Sequence, residues 1–186
     1  MRKLIAGINM TLDGFCDHTA IIPDEEIHQH YADLLSNADT ILFGRITYQL
    51  MEYWQTVVEN PTGNKSMDEF AVVMDSIPKI VFSNTLKNVE WKSAKLANRA
   101  LEEEVLELRQ SGGLGSKDIL VGSRSLIIQL MKLNLIDEYQ LCVHPIIAGN
   151  GLPLFENMHD RTILKLIKTK AFGSGAVTLY YEPTIK

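Results

Sequence analysis

Residues 41–54, ILFGRITYQLMEYW, change character halfway. Ile41, Leu42 and Phe43 make an apolar run with the length of a buried strand, and the run ends on Gly44 and Arg45. From there Thr47, Tyr48, Leu50, Met51 and Trp54 recur at helical spacing. A strand running through a glycine into a helix is the unit of an α/β sheet, in which crossover helices return the chain to parallel neighbours. The cation needs a reason, because the positive end of a helix dipole mildly opposes it. Arg45 serves either as a solvated helix-start residue or as a planar fork matched to phosphate oxygens.

The same alternation extends in both directions. LIAGINM (4–10) has a strand's length, and LDGFCDHTAIIP (12–23) is rich in turn residues. Pro23 with Asp24, Glu25 and Glu26 predicts a helix start, since proline suits the first helical position and carboxylates complement the dipole. Ile27, Tyr31, Leu34 and Leu35 carry that helix to about Asn37. Thr40–Phe43 is a strand, followed by a helix from about Arg45 to Trp54, a loop ENPTGNKS (59–66) and a short helix Met67–Met74. PKIVFS (78–83) and VEW (89–91) read as strands, and Asn98–Gln110 as a helix with Leu101, Val105 and Leu108 on one face. Asp118–Val121 is a strand, Ser123–Lys132 a helix, and Ile136–Pro145, Thr162–Ala171 and Ala176–Glu182 are closing strands. AFGSGA (171–176) between the last two is a hairpin signal. The expectation is one α/β domain over residues 1–186, with a mixed, mostly parallel sheet, helices on both faces and a C-terminal antiparallel hairpin.

Composition narrows the function classes. The 186 residues carry a net charge of −5 with both signs scattered, which does not favour a nucleic-acid partner. Cys16 and Cys142 lie far apart and outside metal-ligand spacing, so reduced thiols in a cytoplasmic protein are expected. MRKLIAGINM has no small-residue cleavage site after its short apolar run, and no apolar run approaches the ~20 residues that span a bilayer. His18, His28, His30, His144 and His159 form no ligand set, so no metal site is expected; His144, before Pro145, reads as a packed polar residue. Gly112-Gly113-Leu114-Gly115 follows a helix and precedes a strand, which makes it a helix C-cap rather than a nucleotide loop.

In an open α/β sheet, ligands bind beyond the carboxyl ends of the strands, where helix N-termini present free N–H groups. Three junctions suit phosphate there. Gly44-Arg45-Ile46-Thr47 combines close backbone approach, a guanidinium and a hydroxyl; Ser83-Asn84-Thr85 puts small polar groups after a strand; Gly122-Ser123-Arg124 lies between a strand and a helix. Each has an ordinary alternative as a helix start or turn former. Together they point to one phosphate-bearing ligand.

The ordered set resembles the dihydrofolate reductase-like fold and, within it, the reductase domain of the bifunctional riboflavin-biosynthesis deaminase/reductase with its small stand-alone bacterial relatives. The likeness runs through Met10-Thr11-Leu12-Asp13-Gly14, Ala38–Tyr48 with Trp54, Lys79–Ser83, Asp118–Ser123 with Leu126, Leu135–Tyr139, and His144–Gly151 through Leu154-Phe155. The fold it implies is a three-layer α/β/α domain. The activity it implies is NADPH-dependent hydride transfer to a small heterocyclic or carbonyl substrate, pyrimidine-like or pterin-like; the alternative is a non-catalytic NADP(H)-binding protein such as a sensor. Gly44, Arg45 and Thr47 match residues near the adenosine phosphate and pyrophosphate, and Ser83 and Asn84 match those beside the 2′-phosphate. Gly122, Ser123 and Arg124 match the loop that receives the pyrophosphate, although relatives often carry Gly-Gly where this chain has Gly122-Ser123. By the same likeness Glu25, among the carboxylates of the first helix, is a candidate proton donor, and Asp13 a residue at the nicotinamide end. Their ordinary readings are dipole compensation and a turn cap. The likeness is also compatible with a homodimer through the His144–Phe155 region.

Overall fold

The computed structural model describes residues 1–19, 21, 23–113, 115–156 and 161–184. In chain order the elements are β1 (Leu4–Thr11), α1 (Glu25–Ser36), β2 (Ala38–Gly44), α2 (Arg45–Met51), α3 (Tyr53–Glu59), α4 (Lys65–Ser76) and β3 (Lys79–Phe82). β4 (Ala94–Leu96), α5 (Leu101–Gln110), β5 (Asp118–Val121), α6 (Arg124–Lys132), β6 (Glu138–His144), β7 (Leu164–Ala171) and β8 (Val177–Pro183) follow. The eight strands form one sheet in the order β4-β3-β2-β5-β1-β6-β8-β7. β1 to β6 run parallel, and β8 is antiparallel to both β6 and β7.

The order of connections explains the layers. The chain moves outward from β1 to β2, β3 and β4, then returns through β5 to β6, so crossovers of one hand place the two sets of helices on opposite faces. Ala32 and Leu35 of α1 and Phe70 and Met74 of α4 pack with Ile5, Ile41 and Phe43 on one face. Val105 of α5 and Leu126, Ile127 and Leu130 of α6 pack with Leu4, Ala6 and Ile8 on the other. Alternate residues of β1 thus feed two cores, as the two-residue period of a strand requires. The mixed three-layer sheet and its C-terminal hairpin are as expected from the sequence.

Several element bounds differ, each for a local reason. Pro23 precedes α1, whose N-cap is Asp24, with its carboxylate accepting from Ile27 N at 2.8 Å. The helix after β2 continues to Glu59 in two segments divided at Glu52. Asn64 caps α4 by accepting from Met67 N, which starts the helix at Lys65, and the helix runs on to Ser76, beyond the expected Met67–Met74. VEW (89–91) is not a strand. Trp91 is held by its side chain, with Nε1 donating to Asp75 Oδ1 at 2.6 Å and the ring 3.9 Å from Lys79 Nζ. Pairing with β3 begins only at Ala94. α5 starts at Leu101 rather than Asn98, and β6 spans Glu138–His144, inside the expected Ile136–Pro145.

At the carboxyl end of the sheet one bond ties the two halves. Gly44 N donates to Ser123 Oγ at 2.8 Å, and Ser123 is fully buried. A side chain on Gly44 would meet Ser125 Oγ at 3.2 Å, so glycine lets the end of β2 sit against the first turn of α6. Ser123→Ala leaves that N–H buried without an acceptor and should destabilise the fold by about 1–3 kcal/mol, read as a lowered urea midpoint. An unchanged midpoint would contradict the assignment.

Lys79 is 1% exposed, and its ammonium donates to Asp75 O, Ile77 O and Ser93 Oγ. Burial pulls its pKa from 10.5 to about 8, with Asp75 pulling the other way. Between those values the unfolded chain holds a proton that the folded chain has released, so the lysine's contribution to stability rises with pH. The stability of the wild type relative to Lys79→Met, measured by denaturant titration, should increase from about pH 8 towards 10.5. A flat or falling difference would show the ammonium to be fully accommodated.

Candidate functional site

A cleft of about 490 Å³ opens where β2 and β3 end and α5 and α6 begin. Gly44, Arg45 and Thr47 form one wall; Ser83, Asn84 and Thr85 lie beyond β3; Arg99, Ala100 and Leu101 lead into α5; Ser125, Leu126 and Gln129 come from α6. Neither α5 nor α6 has a side-chain cap. Ala100, at the N-cap of α5, has no hydroxyl or carboxylate to offer, and Ser123, at the N-cap of α6, has turned its hydroxyl to Gly44. Asp24 and Asn64 do cap α1 and α4. Free N–H groups at two helix starts, with the positive ends of both dipoles, therefore meet at this cleft.

Two guanidiniums add to that field. Arg45 is exposed, with a 3.3 Å hydrogen bond from Nη1 to Gln49 Oε1. Arg99 Nη1 lies 3.8 Å from Glu104 Oε2, beyond hydrogen-bonding distance. Ser83 Oγ accepts from Thr85 N and Leu86 N at 3.1 and 3.0 Å, which orients its hydroxyl at the end of β3. Guanidiniums, hydroxyls and uncapped amides are the donor set that phosphate oxygens require, so the residues present fit a dinucleotide's phosphates.

The structure brings together Gly44, Arg45, Thr47, Ser83 and Asn84 of the residues expected at a cofactor. Gly122, Ser123 and Arg124 do not line the cleft. Ser123 is used inside the fold, and Arg124 reaches the loop after β6, donating from Nε to Pro153 O at 2.8 Å and pairing with Glu156 at 2.6 Å. Ser125, Leu126 and Gln129 take their place. Thr85, of the expected Ser83-Asn84-Thr85 junction, lines the cleft as well, whereas Arg99 was not singled out from the sequence. The available signal was an arginine just ahead of a helix whose N-cap is alanine, hidden by reading the helix from Asn98.

The two expected carboxylates lie apart from this cleft. Asp13 Oδ1 accepts from Thr11 Oγ1 at 2.6 Å and Ala148 N at 3.1 Å, and Oδ2 accepts from Gly149 N at 2.8 Å. The Thr11 hydroxyl, then the Gly149 amide, pull its pKa down to about 2. Asp13 is therefore ionised near neutrality and has no proton to donate. It clamps the loop after β6 to the turn after β1, and Leu12 N to Ile146 O and Leu154 N to Gly14 O reinforce the clamp. Gly14 and Gly149, at φ 88° and 77°, take the left-handed conformations these turns need. Glu25 sits in a separate groove between α1, α4 and β7, where Oε1 accepts from Asn64 Nδ2 at 3.3 Å. Its neighbour Glu26 accepts from Gly173 N at 2.6 Å, tying α1 to the terminal hairpin.

A buried polar group occupies the ends of β1 and β6 on the α1 side. Tyr31 OH donates to Asn9 Oδ1 at 3.1 Å, His144 Nε2 lies 3.0 Å from the same oxygen, and Cys142 Sγ lies 3.6 Å from Nε2. Burial raises the Tyr31 pKa well above its ordinary value and lowers that of His144, with Asp24 opposing the second shift. Cys16 and Cys142 are free thiols; burial pushes Cys16 up to about 11, against the pull of Arg124. Among the described residues there is no cluster able to hold a metal ion and no helix long and apolar enough to cross a membrane.

Similarity to known proteins is extensive. The family model of the RibD C-terminal domain matches residues 2–178. The uncharacterized protein YyaP of Bacillus subtilis (strain 168) is 35% identical over 189 residues, covering 97% of this chain and 95% of its own. Among solved structures, a protein from Shewanella sp. PV-4 named for riboflavin biosynthesis superposes with a TM-score of 0.73 at 21% identity, covering 98% of this chain and 99% of that one. RibD of Acinetobacter baumannii gives 0.68 at 14% identity, with this chain matched over 99% of its length and spanning 58% of that protein. At such identities the structures speak for the fold. Matched by the family model from Arg2 to Thr178 and by YyaP along nearly its whole length, the chain belongs to the RibD C-terminal domain family.

Proposed function

We propose that the protein is an NADPH-dependent reductase of a small heterocyclic or carbonyl compound, with the cleft at the ends of β2 and β3 receiving the phosphates of the cofactor. The observation that carries this reading is the convergence of Arg45, Arg99 and the uncapped starts of α5 and α6 on one cleft. When bound, NADPH supplies the hydride. The chain's own part is to bind and orient. Arg45 and Thr47 suit the phosphate groups along β2, and Arg99 with Ser83, Asn84 and Thr85 suits the phosphate that distinguishes NADPH from NADH. Asp13, by clamping the loops after β1 and β6, holds the remainder of the sheet's carboxyl edge in place. Membership of a reductase-like family supports the reaction class. One solved neighbour, from Corynebacterium diphtheriae, is named as pyrimidine reductase-like, which supports a planar nitrogen heterocycle.

A nucleotide-binding protein without turnover is the second reading. It draws on the absence of a proton-bearing carboxylate from Asp13 and on the distant position of Glu25. NADPH oxidation on addition of a reducible pyrimidine or pterin separates the two, since the second reading allows none.

Fluorescence titration should give NADPH at least tenfold tighter binding than NADH, as expected of charge-assisted bonds to one extra phosphate. Arg99→Ala should abolish most of that preference while leaving NADH within about twofold, and Arg45→Ala should weaken both cofactors. Equal losses for the two cofactors in Arg99→Ala would remove the 2′-phosphate from this residue. Asp13→Ala should speed amide exchange at Ala148 and Gly149 with little effect on cofactor binding. Unchanged exchange would show the loop to be held by its backbone bonds alone.

A further inference from the structure

Arg99-Ala100-Leu101-Glu102-Glu103-Glu104 puts three carboxylates in the first turn of α5, where they complement the positive end of the helix. Helical spacing sets them on different sides. Glu102 and Glu103 are exposed, so solvent screens them, whereas Glu104 is buried alongside Val105. A charge taken out of water is costly unless it is paired and hydrogen-bonded. Glu104 Oε2 is sealed from solvent and accepts no hydrogen bond among the described residues. The cation beside it is Arg99, whose Nη1 stands 3.8 Å away, close enough for attraction and too far for a hydrogen bond.

Arg99 is the complementary case. Its side chain is 48% exposed against 4% for Glu104, it lines the cleft at the ends of β2 and β3, and it makes no hydrogen bond among the described residues. A long side chain on the surface keeps its rotamer freedom unless something holds it. The carboxylate, fixed by the helix, supplies that hold by charge alone and spends none of the guanidinium's N–H groups. The same charge has a second consequence. Burial leaves it poorly screened, so an anion at this wall of the cleft meets Glu104 as well as Arg99. With the guanidinium in place the nearer attraction wins; without it only the repulsion is left.

We infer that Arg99 and Glu104 act as one specificity element, in which the buried carboxylate holds the guanidinium at the cleft and, once stripped of it, repels the phosphate that separates NADPH from NADH. The inference deepens the reductase reading above and rests on it for the identity of that phosphate. Glu104 does not line the cleft, so it is a positioning residue that acts through Arg99. A cofactor without the 2′-phosphate brings no charge to this wall and is indifferent to both residues. A cofactor that carries it depends on the pair.

The test titrates the full chain with NADPH, NADH and 2′-AMP, the last carrying the phosphate without a nicotinamide, through a double-mutant cycle of Arg99→Ala and Glu104→Gln. The double variant should bind NADPH and 2′-AMP at least fivefold tighter than Arg99→Ala alone, with NADH within about twofold in both. A change in folding would move all three ligands together. In the chain that keeps Arg99, Glu104→Gln should gain less, because the guanidinium loses its hold as the repulsion is relieved. Arg99→Met, which keeps an apolar stem, replaces Arg99→Ala if that chain does not fold. No gain in the double variant, or an equal gain with and without Arg99, overturns the inference. The ligands separate the claims. If 2′-AMP follows this pattern and NADPH does not bind, the reductase reading falls alone; if NADPH is preferred over NADH without the pattern, the coupling falls alone. Failure of the unaltered chain to bind either phosphate-bearing ligand overturns both.

Discussion

The hydrogen bond from Gly44 N to Ser123 Oγ organises the carboxyl edge of the sheet. Serine at a helix N-cap ordinarily turns back to satisfy the first-turn amides. Here it turns sideways to satisfy a strand, and the helix start is left open. One bond therefore holds the end of β2 against α6 and leaves α6 with amides for an anion. Ala100 reaches the same end for α5 by lacking a capping group. Two capping opportunities are not taken, so amides stay open beside Arg45 and Arg99, while Glu102, Glu103 and Glu104 in the first turn of α5 offset the positive end of that helix.

Much of the fold could be read from residue patterns, and the failures have physical causes. Apolar runs closed by glycine or small polar residues marked β1, β2, β3 and β5, because buried parallel strands need continuous hydrophobic surface. Val89-Glu90-Trp91 has the composition of a strand, yet its indole is committed to Asp75 and Lys79, and no local rule reports a commitment to residues that distant. Helix starts moved where Asp24 and Asn64 supplied caps, an effect of single hydrogen bonds rather than of periodicity.

The site was legible only in part. Gly44, Arg45, Thr47, Ser83 and Asn84 meet because each follows a strand of one parallel sheet, which is a property of topology that sequence order conveys. Gly122-Ser123-Arg124 has the look of a phosphate loop, but Ser123 is used by a strand 79 residues away and Arg124 by a loop 29 residues ahead. Arg99 joins the cleft because β4 lies beside β3, a pairing that the VEW reading had placed too early. The carboxylates of Asp13 and Glu25 are engaged with backbone and side-chain donors of their own surroundings. His144 reads from the sequence as a packed polar residue, and the structure places it on the Asn9 oxygen that Tyr31 also uses.

The central claim is that the cleft between Arg45 and Arg99 holds the phosphates of NADPH, and phosphorus NMR of the cofactor bound to the intact chain tests it most directly. The free 2′-phosphate titrates with a pKa of about 6. If the two guanidiniums and the uncapped helix starts surround it, its resonance should shift on binding and remain that of the dianion well below that pH. A 2′-phosphate that titrates in the complex as it does in solution would contradict the assignment.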